Sequence, residues 1–275
     1  MVEATRRVRD ALAAAARCFG FSATARLDAE LLMAHALGVE RDRLLIAHLD
    51  DAEPAGFAAL VGRRTAHEPV AYITGTRGFW TIDLLVAPGV LVPRADSETL
   101  IEAAIDHFGS RSPRSILDLG TGSGALLLAA LAQWPDARGV GLDASADALR
   151  IARSNVERLG MDARVEIRRG GWEGSGGPHD LILCNPPYVA NTATLPPEVR
   201  EYEPASALFA GEDGLDDYRR IAPLLGGQLA PGGVACIEIG SDQADTAGTL
   251  FRAQGLTVSV HRDLGGRDRC LVVTS

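Results

Sequence analysis

The stretch "ILDLGTGSGALLLAA", residues 116–130, indicates the fold class. An apolar run that carries Asp118 turns through Gly120, Gly122 and Gly124 into a segment rich in alanine and leucine. Glycine reaches turn conformations closed to other residues and lets the main chain approach a ligand closely. The pattern is typical of a strand, a glycine-rich loop and a helix, which together open a doubly wound α/β sheet.

Strand-like and helix-like segments alternate from this loop to the end of the chain. That alternation predicts one α/β sheet of seven strands, most of them parallel. The strand candidates are 115–119, 138–143, 164–168, 180–184, 234–239, 256–261 and 269–273. Ligands of such sheets lie outside the carboxyl ends of the strands, so we expect the loops after the first and fourth strands to face one pocket.

The first part of the chain has a different texture. Residues 1–70 are rich in alanine and leucine with helical periodicity, which predicts a small helical bundle. In its first helix the apolar positions with helical spacing are Val8, Leu12, Ala15 and Phe19. In "RLDAELLMAHALG" the predicted stripe consists of Leu27, Leu31, Leu32 and His35, and Gly38 closes the helix. Residues 71–94 carry aromatic and β-branched residues between turn signals and predict a β-hairpin linker.

Composition excludes several functions. The 27 basic and 36 acidic residues give a formal charge of −9, which argues against binding that depends mainly on nucleic-acid phosphates. The chain contains no lysine, which removes Schiff-base chemistry. The four cysteines lack CxxC spacing and the six histidines do not cluster, so we expect no metal site. The longest apolar stretch, residues 125–132, is far shorter than a membrane span, and we expect a protein of the reducing cytoplasm.

Two cofactor classes fit the glycine-rich loop. Gly120, Gly122 and Ala125 match the dinucleotide fingerprint GxGxx(G/A). Asp143 follows at about the distance expected of an acid that binds a ribose. From this loop alone, a nicotinamide enzyme and an adenosylmethionine enzyme are equally consistent with the sequence.

The segment "LILCNPPYVA", residues 181–190, separates the two classes. Pro186 and Pro187 cannot donate to a sheet, so the buried strand ends at Asn185. Hydride transfer has no evident use for such a loop, whereas methylation of a planar NH2 group does. If the Asn185 side-chain oxygen and a backbone carbonyl of the proline pair accept the two N–H groups, the nitrogen lone pair is held toward a methyl donor. Tyr188 offers a face for a planar substrate group. The alternative interpretation is a rigid turn after a strand.

On these motifs the whole chain resembles the HemK/PrmC type of protein-(glutamine-N(5)) methyltransferase. The resemblance also covers "VLVPRADSE", "EVREYEPASALFAGEDGLDDYR", "LAPGGVACIEIG" and "RDLGGRDR". It implies a Rossmann-like class I methyltransferase sheet, S-adenosyl-L-methionine as cofactor and methylation of the glutamine in the Gly-Gly-Gln sequence of peptide chain release factors. It implies release factors as partners. From the acidic charge and the short apolar stretches we expect no direct binding of nucleic acid and no membrane association.

The resemblance also implies roles for individual residues. The cofactor-binding positions are Gly120, Thr121, Gly122, Ser123, Gly124, Asp143, Trp172 and Asn185. The positions that hold the substrate amide are Asn185, Pro186, Pro187 and Tyr188. We expect residues 1–70 to dock the substrate protein and residues 95–275 to form the methyltransferase domain. Two other functions stay open, an adenine-amine nucleic-acid methyltransferase and a non-catalytic module that binds adenosylmethionine.

Two positions depart from the family pattern. Gly171 replaces an acid that commonly precedes the tryptophan, and Ala95 replaces a proline of the PRP(E/D)TE stretch. Arg94 and Glu98 fit either a clamp on the cofactor or a contact between hairpin and helix. We expect a solvated surface role for four further titratable residues, which are His179, Glu201, Glu203 and Asp213.

Overall fold

The computed structural model describes residues 6–275, and these residues form two units. One unit contains the chain up to Thr76 together with Pro196–Tyr202, and the other contains Arg77–Leu195 and Glu203–Ser275. Residues 1–5 of the predicted helical segment lie outside the described residues. Across residues 6–275, no helix has the length and apolar character of a membrane span.

Helices and strands follow the chain in this order. The helices are α1 Val8–Cys18, α2 Ala25–Leu37, α3 Arg41–Ala47, α4 Phe57–Thr65, α5 Val70–Thr74, α6 Thr99–Phe108, α7 Ala125–Gln133, α8 Ala146–Arg158, α9 Pro197–Arg200, α10 Asp216–Leu225 and α11 Ala244–Arg252. The strands are β1 Thr76–Phe79, β2 Ile82–Leu85, β3 Ser115–Leu119, β4 Arg138–Asp143, β5 Val165–Arg169, β6 His179–Cys184, β7 Leu229–Glu238, β8 Thr257–Arg262 and β9 Asp268–Thr274.

Helices α1 and α2 test the predicted apolar stripes. The four positions predicted for α1 are all buried, so that stripe is confirmed. The stripe predicted for α2 is wrong, because Leu27 and His35 are exposed, whereas Asp28 and Met33 lie inside with Leu32. The cause is an ion pair that the apolar pattern does not reveal: the buried Arg64 of α4 donates through Nε to Asp28 Oδ2 at 2.9 Å. This pair holds the Asp28 face of α2 toward α4.

The short segment Pro196–Tyr202 belongs to the helical unit although it is far from it in sequence. Arg64 Nη1 lies 2.7 Å from Glu198 Oε2, and the Tyr202 hydroxyl donates to the carbonyl of Ala66 at 2.7 Å. Arg64 therefore holds two carboxylates at once, which offsets the cost of burying its charge.

Seven strands form the main sheet of the second unit in the order β5-β4-β3-β6-β7-β9-β8. Strands β3 to β7 pair in parallel, and β9 is antiparallel to both β7 and β8. The predicted seven-stranded, mostly parallel sheet is confirmed. The largest difference from the sequence-based bounds is in β7, which begins at Leu229 rather than at residue 234.

The predicted β-hairpin is formed by β1 and β2, while α5 occupies the beginning of the segment assigned to the linker. Phe79 and Leu84 of the hairpin are buried in the core on the face of the sheet that α6 and α7 cover. On the other face α10 and α11 pack over the sheet.

Asn155 of α8 ties the hairpin to the glycine-rich loop. Its side chain is fully buried; the Leu85 amide donates to Asn155 Oδ1 at 2.6 Å, and Asn155 Nδ2 donates to the carbonyls of Leu85 at 3.0 Å and Ser123 at 2.9 Å. One amide thus satisfies backbone groups of an edge strand and of the loop that follows β3.

We expect Asn155→Ala to lower the free energy of unfolding by about 3 kcal/mol, since three hydrogen bonds are lost and buried backbone groups are left unpaired. The measurement is urea unfolding monitored by circular dichroism. Asn191→Ala is the matched control, because the Asn191 side chain is exposed. Equal stability of the two variants would contradict the role assigned to Asn155.

Candidate active site

Three of the predicted residues lie at the carboxyl ends of adjacent strands. Leu119 at the end of β3 is in register with Leu142 of β4 and with Cys184 of β6. The next residues along these strands are Gly120, Asp143 and Asn185. A cavity of about 430 Å³ opens at this edge of the second unit, within the range that holds small molecules and cofactors.

Most of the predicted site residues line this cavity. Those that do are Gly120, Thr121, Gly122, Ser123, Asp143, Trp172, Asn185 and Pro187. Three predicted residues are not part of the lining. Gly124 is the N-cap of α7 with a φ of 86°, Pro186 is buried, and Tyr188 is bonded elsewhere, as described below.

Two glycines let the backbone of the glycine-rich loop approach the cavity closely. Gly120 and Gly122 have φ values of 72° and 57°, which favour glycine. A Cβ atom on Gly120 would lie 3.3 Å from the Trp172 ring, so a side chain there would crowd the indole. The loop and the indole therefore shape one wall of the cavity together.

Asp143 has both carboxylate oxygens fixed by backbone donors. Oδ2 accepts from the Gly122 amide at 2.9 Å, and Oδ1 accepts from the Ser145 amide at 2.8 Å. Each oxygen has a second lone pair for another donor. A carboxylate oriented in this way can accept hydrogen bonds from ligand hydroxyl groups.

Trp172 is held by two residues that the sequence interpretation missed. Its Nε1 donates to Asp217 Oδ1 at 3.0 Å, and its carbonyl accepts from Gln228 Nε2 at 2.8 Å. Asp217 also lines the cavity, as does Arg220, which lies 3.3 Å from Asp217. Asp217 belongs to the quoted stretch "GLDDYR", so the only sequence signal was the family resemblance.

Asn185 has one end of its amide bonded and the other open. Nδ2 donates to Ser97 Oγ at 3.3 Å. Within residues 6–275 the Oδ1 atom makes no hydrogen bond and is not enclosed by other atoms. The acceptor end of the amide is thus available to a molecule in the cavity.

Tyr188 is tied to the sheet below the cavity. Its hydroxyl donates to Glu238 Oε1 at 3.1 Å, and its carbonyl accepts from Gln243 Nε2 at 3.0 Å. Burial raises the pKa of Tyr188, and the neighbouring Glu238 charge adds to the rise. The phenol is therefore a neutral donor, while the stacking role expected of its ring stays a prediction.

Arg94 and Glu98 connect segments that are distant in the sequence. Arg94 Nη2 donates to both carboxylate oxygens of Glu203 at 2.6 and 2.8 Å, and the Trp80 amide of the hairpin turn donates to Glu98 Oε1 at 2.9 Å. The expected surface role is wrong for Glu203, which is buried against Arg94. It is also wrong for His179, which is buried and bonded to Ser175 at 2.5 Å, whereas Glu201 and Asp213 are exposed.

Two other stretches complete the cavity. The hairpin and the loop after it contribute Phe79, Val90, Leu91 and Pro93, and the stretch that begins at Glu203 contributes Pro204, Ser206, Ala207 and Phe209. The side chains of these residues are apolar or small and belong to no catalytic motif. The sequence therefore could not show that they line the cavity. No cluster of three or more His, Cys, Asp or Glu side chains suited to a metal ion occurs in residues 6–275.

Asp118 lies beneath the glycine-rich loop and is 1% exposed. Thr121 Oγ1 donates to its Oδ2 at 2.6 Å, whereas Oδ1 has no partner among the residues described. Burial raises the pKa of Asp118 from 3.8 to about 7, and the Thr121 hydroxyl opposes that rise. The carboxyl group therefore gains a proton more easily in the folded protein than in the unfolded chain.

Family models and curated relatives match most of the chain. A model described as the PrmC N-terminal domain matches residues 3–75, and one described as a methyltransferase small domain matches residues 94–201. A release factor glutamine methyltransferase of Rhodospirillum rubrum is 42% identical over 254 residues, which is 90% of this chain and 78% of that protein. One of Cereibacter sphaeroides is 42% identical over 275 residues, which is 96% of each chain.

Solved structures support the fold alone. The catalytic domain of hMettl16 in complex with MAT2A 3′UTR hairpin 1 superposes with a TM-score of 0.55 and 17% identity, over 70% of this chain and 74% of that one. A methyltransferase of Pyrococcus furiosus superposes with a TM-score of 0.52 and 17% identity, over 78% of this chain and 95% of that one.

The buried Asp118 predicts a pH-dependent stability of the ligand-free protein. Its folded pKa of about 7 exceeds the unfolded value of 3.8, so its contribution to stability is fully present below the unfolded pKa and is lost as the pH rises through about 7. Relative to Asp118→Asn, which cannot ionise, we expect the wild type to lose roughly 2–3 kcal/mol between about pH 5 and about pH 7. Urea unfolding at each pH measures this difference. A difference that stays constant over the range would contradict the assignment.

Proposed function

The chain belongs to the release factor glutamine methyltransferase family, and we propose that it transfers a methyl group from S-adenosyl-L-methionine to the side-chain amide nitrogen of glutamine in the Gly-Gly-Gln sequence of peptide chain release factors. Membership rests on identity above 40% across nine-tenths of the chain. A release factor substrate implies that the protein acts in the cytoplasm, where translation ends.

One observation carries the proposal. Asn185, whose Oδ1 has no hydrogen-bond partner among the residues described, lines the same cavity as the glycine-rich loop and Asp143. A methyltransferase acting on an amide needs a cofactor site and an acceptor for the substrate N–H groups side by side. In this protein the two features share one edge of the sheet, at the point where strand order reverses.

The residues present fit the proposed cofactor. The Asp143 carboxylate suits ribose hydroxyls, the Trp172 ring suits the face of an adenine, and the glycines after β3 leave room that a Cβ on Gly120 would fill. Bound S-adenosylmethionine supplies a methyl group activated by a positively charged sulfur. Gly171 offers no carboxylate to the adenine amine, so the affinity depends on the other contacts.

Asn185 is the central residue of the proposed mechanism. A glutamine amide nitrogen is a poor nucleophile because its lone pair is delocalised into the carbonyl. With Asn185 Oδ1 and a backbone carbonyl of Pro186 or Pro187 accepting its two N–H groups, the nitrogen is held with the lone pair toward the methyl group. Both acceptors also stabilise the positive charge that develops on nitrogen during transfer. The nitrogen loses its proton afterwards, so no strong base is required.

The substrate is best distinguished by what becomes labelled. Purified protein is incubated with adenosylmethionine carrying a labelled methyl group and either a release factor or duplex DNA. Label on the release factor, lost when the glutamine of Gly-Gly-Gln is replaced by alanine, is expected. Label on DNA alone would favour an adenine-amine methyltransferase, and label on neither substrate, with cofactor still bound, would favour a non-catalytic module.

Substitutions at the proposed substrate contact, Asn185, and at the proposed cofactor contact, Asp143, should have different effects. We expect Asn185→Ala to lower kcat on the order of a hundred- to a thousandfold, because a positioned acceptor is removed, while the cofactor Kd changes little. We expect Asp143→Ala to raise the cofactor Kd roughly ten- to a hundredfold, because hydrogen bonds to a charged group are lost. Steady-state kinetics and titration calorimetry measure the two effects. If the folded Asn185→Ala variant keeps near-normal turnover, the Asn-Pro-Pro-Tyr segment is only a rigid turn and the catalytic role proposed for it is wrong.

The helical unit is proposed to dock the release factor, as expected from the sequence. Its α3 carries Ile46, whose side chain is 86% exposed beside the buried Leu44. An exposed apolar side chain of this kind suits a protein contact.

We expect Ile46→Glu to raise the KM for intact release factor several-fold and to leave the cofactor Kd and the rate on a short Gly-Gly-Gln peptide unchanged. Ala253→Glu is the matched control, since it adds the same charge at an exposed position of the other unit. Equal KM values for the two variants would count against docking through α3.

A further inference from the structure

The orientation of the Asn185 amide is a structural problem in its own right. An asparagine side chain has an acceptor end and a donor end of nearly the same shape. The proposed reaction needs the acceptor end toward the substrate, because an NH2 group facing the substrate NH2 would oppose two donors. Some part of the protein must therefore distinguish the two ends of this amide.

Ser97 is the residue that contacts the other end. It belongs to the 3₁₀ turn Ala95–Glu98, is buried, lines the cavity, and accepts a hydrogen bond from Asn185 Nδ2 at 3.3 Å. A serine hydroxyl, however, can either donate or accept. If its own proton pointed at Asn185, it would attract Oδ1 and the amide would turn over. The direction of the Ser97 proton thus decides which end of the amide faces the cavity.

The buried carboxyl group of Glu238 can accept that proton. This residue ends β7 and is 1% exposed. Its Oε1 accepts from Tyr188, and its Oε2 is buried without a hydrogen-bond partner among the residues described. Burial raises the pKa of Glu238, while the hydroxyls of Ser97 and Tyr188 and the charge of Arg269 oppose that rise by favouring the ionised form. An ionised carboxylate only accepts, so a Ser97 proton directed at the unpaired Oε2 of Glu238 leaves the oxygen lone pairs of Ser97 for Asn185 Nδ2.

We propose that Ser97 and Glu238 are positioning residues that fix the polarity of the Asn185 amide, with Glu238 orienting the Ser97 hydroxyl and Ser97 holding Asn185 Nδ2 so that Oδ1 faces the substrate nitrogen. This inference rests on the proposed function. It assigns a task to a buried carboxylate and a buried hydroxyl that the methyl transfer does not otherwise use. Neither residue contacts the reacting atoms; both act through Asn185.

The first test separates turnover from binding. Ser97→Ala removes one neutral hydrogen bond and is expected to lower kcat roughly tenfold, with the cofactor Kd and the KM for release factor within about twofold of wild type. Ser97→Thr keeps the hydroxyl and is expected to restore most of the rate. A normal kcat in Ser97→Ala, or a threonine variant as impaired as the alanine variant despite normal folding, would overturn the proposal.

A double-mutant cycle then asks whether Ser97 acts through Asn185. In the Asn185→Ala background the Ser97→Ala change should lower kcat by less than about twofold, because the group that Ser97 positions is already gone. A purely structural role, or a direct contact with substrate, predicts the same tenfold loss in both backgrounds. Equal losses would overturn the proposal while leaving the methyltransferase activity of the wild type in place.

A spectroscopic measurement makes the test independent of the substrate. The side-chain NH2 signals of Asn185, assigned by their absence in Asn185→Ala, should shift in nuclear magnetic resonance spectra of both Ser97→Ala and Glu238→Gln, since the first removes the acceptor and the second its orienting charge. Signals unchanged in both variants would overturn the proposal. If the wild type does not methylate release factor, the proposed function is wrong. The same spectra still show whether Ser97 and Glu238 orient the Asn185 amide.

Discussion

The site depends on one constraint, the parallel pairing of β3 with β4 on one side and with β6 on the other. Because the three strands run in the same direction and end in register, their following residues emerge at one edge of the sheet. The chain connection after β3 leads to β4 on one side, and the connection after β6 leads to β7 on the other side, which opens a crevice between them. The glycine-rich loop, the Asp143 carboxylate and the Asn185 amide share a cavity for this reason.

Buried polar groups keep these loops in place. Asn155 bonds the hairpin and the glycine-rich loop, Glu203 pairs with Arg94, and Glu238 accepts from Tyr188. Moving each of these groups out of water costs free energy unless the group is paired. Apolar residues at the same positions would therefore often stabilise a fold equally well. Their presence around one cavity is consistent with a need to orient the loops that line it, since hydrogen bonds have direction and apolar contacts do not.

The residues that we propose for the chemistry lie in the loops rather than in the sheet. Solved structures with 17% identity share the fold, whereas the features that we propose to bind an amide substrate are the Asn-Pro-Pro-Tyr turn and the long stretch after it. That stretch divides between the two units, with Pro196–Tyr202 in the helical unit and the residues from Glu203 onward in the sheet unit. A continuous segment therefore takes part in both units, with Arg64 anchoring its first part and Arg94 its second.

We could predict from the sequence the α/β sheet with its seven strands, the hairpin, and the placement of the glycine-rich loop, Asp143 and Asn185 at strand ends, because strand and turn signals are local and periodic. The folded protein was needed to establish which face of α2 is buried, that Glu203 lies inside, and that Ser97 contacts Asn185. These outcomes depend on partners such as Arg64 that are distant in the chain, and a pairing between distant polar side chains leaves no periodic pattern in one sequence. Local chemistry therefore set where each functional group emerges, and long-range contacts set which way it points.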